Sequence, residues 1–90
     1  MMGIVAVKIK IMPESPEVDL AQLREKLEKK IYTLGGKVNQ AEEEPIAFGL
    51  KAIIITIAWP EEKSTDLLES ELQTEEVSSV QIIDYRRAFG

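Results

Sequence analysis

Ten consecutive positions, Leu50 to Trp59, contain only two polar residues, Lys51 and Thr56. Gly49 precedes this run and Pro60 ends it. A continuous apolar run of this length, rich in isoleucine, reads as a central strand screened on most of its surface. It is about half the length of a membrane-spanning helix. The rest of the chain must therefore supply neighbours on each side and a layer to cover them, all within 90 residues. That length suits one domain, spanning residues 1–90, with one core.

The neighbours can be read from periodicity. Val5, Val7, Ile9 and Ile11 alternate with Ala6, Lys8 and Lys10, the period of a strand with one buried face, and Pro13 and Pro16 end it. Asp19 then opens a helix as an N-cap, with Gln22 at the capping-box position. Leu20, Leu23, Leu27 and Ile31 fall on one helical stripe, and Gly35-Gly36 stops the helix. The opposite face, Arg24 to Lys30, is charged and reads as solvated.

Lys37 to Glu44 reads as a short edge strand, and Pro45 to Gly49 as a loop before the apolar run. Ser64 or Thr65 caps a second helix with Leu67, Leu68 and Leu72 as its apolar face. Thr74 to Ser79 is read as a connector. Val80, Ile82, Ile83 and Tyr85 form a last strand, and Arg86 to Gly90 is the tail.

The order strand, helix, strand, strand, helix, strand with right-handed crossovers gives an α+β, ferredoxin-like βαββαβ sandwich. It has a four-stranded antiparallel sheet, both helices on one face, and the first and third strands side by side at its centre. Leu23, Leu27, Val7, Ile9 and Ile54 are expected in the core.

Composition removes several functions. The chain has no cysteine and no histidine, which excludes imidazole acid–base chemistry, a Cys/His zinc site and a cysteine nucleophile. Sixteen acidic against eleven basic residues give a net charge of −5, a poor match for phosphate-rich nucleic acid. A basic protein partner fits better. No N-terminal pattern of a basic region, an apolar core and a cleavage site is present, so the expected location is the cytoplasm, with no membrane contact.

Glu42-Glu43-Glu44 and Glu61-Glu62 match no calcium-loop pattern and read as solvated edge charges. Gly35-Gly36 follows a helix and lacks the closing Lys-Ser or Lys-Thr of a phosphate loop, so tight nucleotide binding by the chain itself is not expected. Phe48 sits between Ala47 and Gly49. The residues alone leave two readings open, a partner anchor or a core side chain folded under the sheet. Trp59, at a strand end, reads as a lid on the core. Arg86 and Arg87 are the densest positive spot, either an edge charge pair or a site for a partner's carboxylate or phosphate.

The stretch Glu44-Pro45-Ile46-Ala47-Phe48-Gly49-Leu50-Lys51-Ala52 resembles the signature of the elongation factor 1-beta exchange domain. Glu61 to Leu68 is similar to the acidic turn and Thr-Asp helix start of that family, and Ser79 to Arg87 to its closing strand. Val7 to Pro16 resembles the archaeal branch. The resemblance implies catalysis of GDP release from the GTPase elongation factor 1-alpha, with GTP rebinding, no cofactor and no chemical step of its own. It implies partner contacts at Pro45, Phe48, Gly49, Lys51, Arg86 and Arg87. In eukaryotic members the aromatic matched by Phe48 enters a pocket on the GTPase domain. A lysine near their C-terminus, matched by Arg87, reaches toward its Mg²⁺ and phosphate region. Arginine keeps the charge there but is planar and bulkier. Phe48 is expected to be exposed at one end of the molecule, with Arg87 at that same end. The alternative reading is an RNA-binding or small-metabolite-sensing module of the same topology.

Overall fold

The computed structural model describes residues 3–87. In chain order the elements are β1 (Ile4–Pro13), α1 (Leu20–Leu34), β2 (Lys37–Pro45), β3 (Lys51–Pro60), α2 (Asp66–Glu71) and β4 (Val77–Arg87). The sheet order is β2-β3-β1-β4, with every neighbouring pair antiparallel. This is the ferredoxin-like α+β fold expected from the pattern, with β1 and β3 at the centre.

The residue types explain the elements. Asp19 caps α1 by accepting from the Gln22 amide at 3.2 Å. The helix ends where Gly35 adopts a left-handed φ of 104°, and the amides of Gly35 and Gly36 donate to the carbonyls of Tyr32 and Ile31. That pair of bonds is a Schellman motif, which glycine accommodates without a Cβ clash. Gly36 has a second duty. A Cβ there would lie 2.9 Å from both Trp59 and Ile31, so its small size lets the strand begin beneath the indole. In α2, Thr65 is the N-cap without a side-chain bond, while Ser64 Oγ accepts from the Asp66 amide at 3.1 Å.

The core lies between the sheet and the helices. Val5, Val7, Ile9 and Ile11 of β1 meet Ile53, Ile55, Ile57 and Trp59 of β3, with Leu23, Leu27 and Ile31 of α1 and Leu68 of α2 laid over them. Leu72 and Val77 complete it, while Leu67 is exposed. Trp59 is fully buried and its Nε1 donates to the Lys63 carbonyl at 3.1 Å, the usual need of a buried indole N–H. Val7, Ile9, Leu23 and Leu27 thus belong to the core as expected.

Ile54 does not. It is only 4% exposed, yet it lies on the sheet face opposite the helices, screened by its strand neighbours. Successive strand residues point to opposite faces, so Ile53 and Ile55 inside put Ile54 outside. The last strand also starts earlier than its apolar pattern suggested. Val77 is buried and pairs with Pro13, but Ser78 and Ser79 follow it and break the alternation. A register shift between Lys8 and Ile9 also places Ile83 out of step in β4. Such an extra residue is a bulge, which hides period two in a sequence.

Candidate partner-docking site

The turn between β2 and β3 is built to present one side chain. Pro45 pairs with Lys51 at the end of the ladder. The Ile46 amide donates to the Leu50 carbonyl at 2.8 Å, and the Leu50 amide to the Ala47 carbonyl at 2.9 Å. The two central residues both have positive φ, 56° for Phe48 and 78° for Gly49. Positive φ at both positions is the signature of a type I′ turn, whose twist matches a hairpin. Gly49 meets this need at no cost, and nothing closer than ordinary contact crowds it. Phe48 does not. A bulky side chain in the left-handed region costs roughly 1–2 kcal/mol.

The hydrogen-bonded turn carries Phe48 away from the protein. Its side chain is 96% exposed, which rules out the reading of a core phenylalanine. Ile46 beside it is 40% exposed, so the tip is an apolar point. Beside Gly49 lies an open groove of about 440 Å³ that reaches Pro16 and Val18 and is rimmed by Glu43 and Lys51. Lys51 Nζ stands 4.0 Å from Glu43 Oε1 and both remain exposed. The structure therefore brings Pro45, Phe48, Gly49 and Lys51 together.

It does not bring the arginines to them. Arg87 pairs with Val5, and Val5 pairs with Trp59, so Arg87 sits where β3 ends. Phe48 precedes the start of β3. The expectation that Arg87 shares an end with Phe48 is overturned. β3 and β4 both run antiparallel to β1, hence parallel to each other, so the start of one and the finish of the other lie at opposite ends. Eight residues of strand separate the two levels, about 27 Å at strand rise. The molecule's longest dimension is 45 Å.

At its own end Arg87 is not a bare charge. Its Nη2 lies 2.7 Å from Glu61 Oε1, and the Glu61 amide donates to the Gly3 carbonyl at 3.0 Å. Arg86 Nε lies 2.9 Å from Asp84 Oδ2. Each arginine thus arrives with a carboxylate. Glu61 was read from the sequence as a solvated edge charge, and nothing in the sequence pairs it with a residue 26 positions later. The strand register does. Next to it, the Lys63 ammonium sits 5.8 Å above the Trp59 ring and donates to the Leu34 carbonyl, closing the end of α1.

A concavity of about 560 Å³ lies apart from both clusters, between α1 and the segment before β4, with Lys26 and Glu76 paired across it at 3.0 Å. Among the described residues, no three His, Cys, Asp or Glu side chains are grouped to hold a metal ion. No helix among them is long and apolar enough to cross a membrane.

This layout, an exposed aromatic at one end of a ferredoxin-like sheet and a carboxylate-held arginine at the other, coincides with a family match over residues 6–87 to the EF-1 guanine nucleotide exchange domain. The chain belongs to that family. It is similar to the elongation factor 1-beta of Methanosarcina acetivorans, 47% identical over 88 residues that cover 96% of this chain and 99% of the relative. The elongation factor 1-beta of Haloarcula marismortui is 46% identical over 83 residues, 90% of this chain and 93% of the relative. That of Nanoarchaeum equitans is 42% identical over 82 residues, 89% of this chain and 100% of the relative. The matched stretch takes in both of these ends, since residues 6–87 include the Phe48 turn and Arg87.

Proposed function

We infer that this chain is a guanine nucleotide exchange factor that promotes GDP release and GTP rebinding on an elongation factor 1-alpha GTPase during translation elongation. Family membership supports the exchange function. The full exposure of Phe48 on a strained turn is the observation that carries the docking role. Residues kept in costly backbone conformations cluster at sites of function, and an exposed aromatic is a typical binding anchor.

The mechanism is differential binding. The factor binds the nucleotide-free GTPase more tightly than the GDP-bound form. By linkage, nucleotide then binds the complex more weakly by the same factor. The factor lowers the barrier to exchange in both directions, and the excess of GTP in the cell sets the direction. No covalent bond is made or broken, so the chain is not an enzyme in the chemical sense. It needs no cofactor, and it works where translation works, in the cytoplasm.

Within this reading Pro45, Phe48, Gly49 and Lys51 form one contact, and Arg86 and Arg87 another about 27 Å away. The partner must offer an apolar pocket and an acidic or phosphate-bearing region at that spacing. Arg87 reaches the second only by leaving Glu61, which makes it a guided charge rather than a free one. The RNA-binding alternative fares worse. It needs aromatic side chains on the open face of the sheet. Trp59 is buried on the helix side, and Tyr85, opposite Val7, projects to that side too. The test is the rate of GDP release from elongation factor 1-alpha with and without the chain. A rate unchanged at saturating factor overturns the proposal.

A further inference from the structure

The helices cover one face of the sheet, and the other face has a charge pattern of its own. The register sets Glu42 and Lys10 on either side of Ile54, and Gln40 and Lys8 on either side of Thr56. Glu44 lies one step further, beside Ala52. A central stripe of Ala52, Ile54, Thr56 and Ala58 on β3 therefore runs between an acidic column on β2 and a basic column on β1.

On the far side of β1 the register sets Asp84 of β4 beside Lys8, but Asp84 is already paired with Arg86 at 2.9 Å. Lys10 lies beside Gln81, so the Glu42 and Lys10 charges have no opposite partner across the sheet. The two columns stand two strand spacings apart, about 10 Å. Among the described residues, none of Lys8, Lys10, Glu42 and Glu44 takes part in an ion pair. Glu42 accepts only from the side-chain amide of Gln40. By contrast Glu43, on the helix side of the same strand, has Lys51 for a partner.

We propose that this open face docks a second copy of the chain, as a two-fold dimer whose axis runs along β3. Rotation about that axis lays β3 on β3 and carries β2 of one copy over β1 of the other, at the same height along the strands. Glu42 then meets the partner copy's Lys10, Lys10 meets its Glu42, and Gln40 faces its Lys8. The same residues serve both sides, as an isologous interface requires. A two-fold axis across the strands instead would lay acidic column on acidic column and basic on basic. Charge thus selects one arrangement out of two.

The size and chemistry set the strength. Rotation about β3 opposes three strands of each copy, β2, β3 and β1, and leaves β4 overhanging. Three strands of this length present about 450 Å² per copy, about 900 Å² in all, the size of a weak, transient contact. Ile54 is already screened in the single chain, so little new apolar surface is removed from water. The crossed ion pairs therefore supply the selectivity, and the dimer is weak and salt-sensitive. The Phe48 turn and Arg87 lie at the ends of the strands, and Arg86, beside Ala6 on β4, borders this face on the one strand that the second copy does not cover. Self-association and exchange are therefore separable.

Sedimentation of the intact chain between about 10 µM and about 1 mM tests this, in the range where weak interfaces show. At low salt the mass should rise toward that of two copies. About 0.5 M salt should return it to one, because charges more than a few ångströms apart are then screened. Lys10→Glu and Glu42→Lys should each be monomeric, since each homodimer would oppose like charges twice. Mixed together, the two variants should associate again, because one copy then offers two acidic and the other two basic positions. Melting curves establish that each variant is folded, and Lys10→Glu should retain exchange activity. A wild-type chain that stays monomeric at the highest concentration overturns the proposal. So does a dimer unaffected by either reversal, or a monomer in which both reversals weaken exchange, which would assign the face to the GTPase.

Discussion

Removing the ring of Phe48 should separate binding from folding more cleanly than any other change in this molecule. The side chain is 96% exposed, so truncation to alanine takes away almost no internal contact. Phe48→Gly goes further, because glycine accepts the φ of 56° that phenylalanine tolerates at roughly 1–2 kcal/mol. Glycine also loosens the unfolded chain, which offsets about 0.4–1 kcal/mol of that gain. The net expectation is a stability within about 1 kcal/mol of the wild type, or a melting shift under about 8 °C for a chain of this length. The effect on the partner should be much larger. Burying a phenylalanine in an apolar pocket is worth about 1.5–3 kcal/mol, so the factor concentration for half-maximal GDP release should rise about 10- to 100-fold. The maximal rate at saturation should change little. The assay is GDP release from elongation factor 1-alpha as a function of factor concentration, run beside thermal melts of both variants. A half-maximal concentration within threefold of wild type would refute the anchor. So would a melting point lowered in step with the loss of binding.

At the other end, Arg87→Ala should lower the maximal exchange rate more than it raises the half-maximal concentration, because its contact strengthens as phosphate contacts loosen. Arg87→Lys should keep most of the rate, and a full rate for Arg87→Ala would reduce Arg87 to a solvated strand-end charge. Glu61→Gln removes an exposed ion pair and should cost less than about 1 kcal/mol in denaturant unfolding. Gly36→Ala should destabilise by about 1–3 kcal/mol through overpacking, since the new methyl would press on Trp59 and Ile31, and an unchanged denaturation midpoint would refute this. Leu27→Ala should cost about 2–5 kcal/mol by opening a cavity in the fully buried core.

Most of the fold was legible in the residues because its elements obey simple periods. The alternation of Val5 to Ile11, the stripe from Leu20 to Ile31 with Asp19 and Gly35 at its ends, and the unbroken apolar run into Trp59 each admit one structure. β4 was blurred at its start because Ser78-Ser79 and the bulge near Ile83 interrupt period two. The side of the sheet on which Ile54 is buried was hidden for another reason. A strand screened on both sides has no polar residues to mark which side faces the helices.

The site was legible in part. The Phe48 turn could be located, but whether the ring points out depends on the signs of φ, and Phe-Gly is not the Asn-Gly or Asp-Gly pair that usually announces such a turn. The Glu61–Arg87 pair exists only through strand register. The error over the end occupied by Arg87 is of a different kind. Strand direction in the expected topology already opposed Phe48 to Arg87, and the resemblance, which treats both as parts of one site, pulled them together.

The placement of β4 has a consequence for the birth of the molecule. β1, made before the other three strands of its sheet, takes one neighbour from residues 51–60 and the other from residues 77–87. Until that last segment emerges, one edge of β1 stands open, with Val5 to Ile11 lacking the partner that closes the sheet. Contacts so distant in sequence form late and slowly. The sheet therefore cannot be completed until residues 77–87 have cleared the exit tunnel, and the Glu61–Arg87 pair is among the last of its contacts to form.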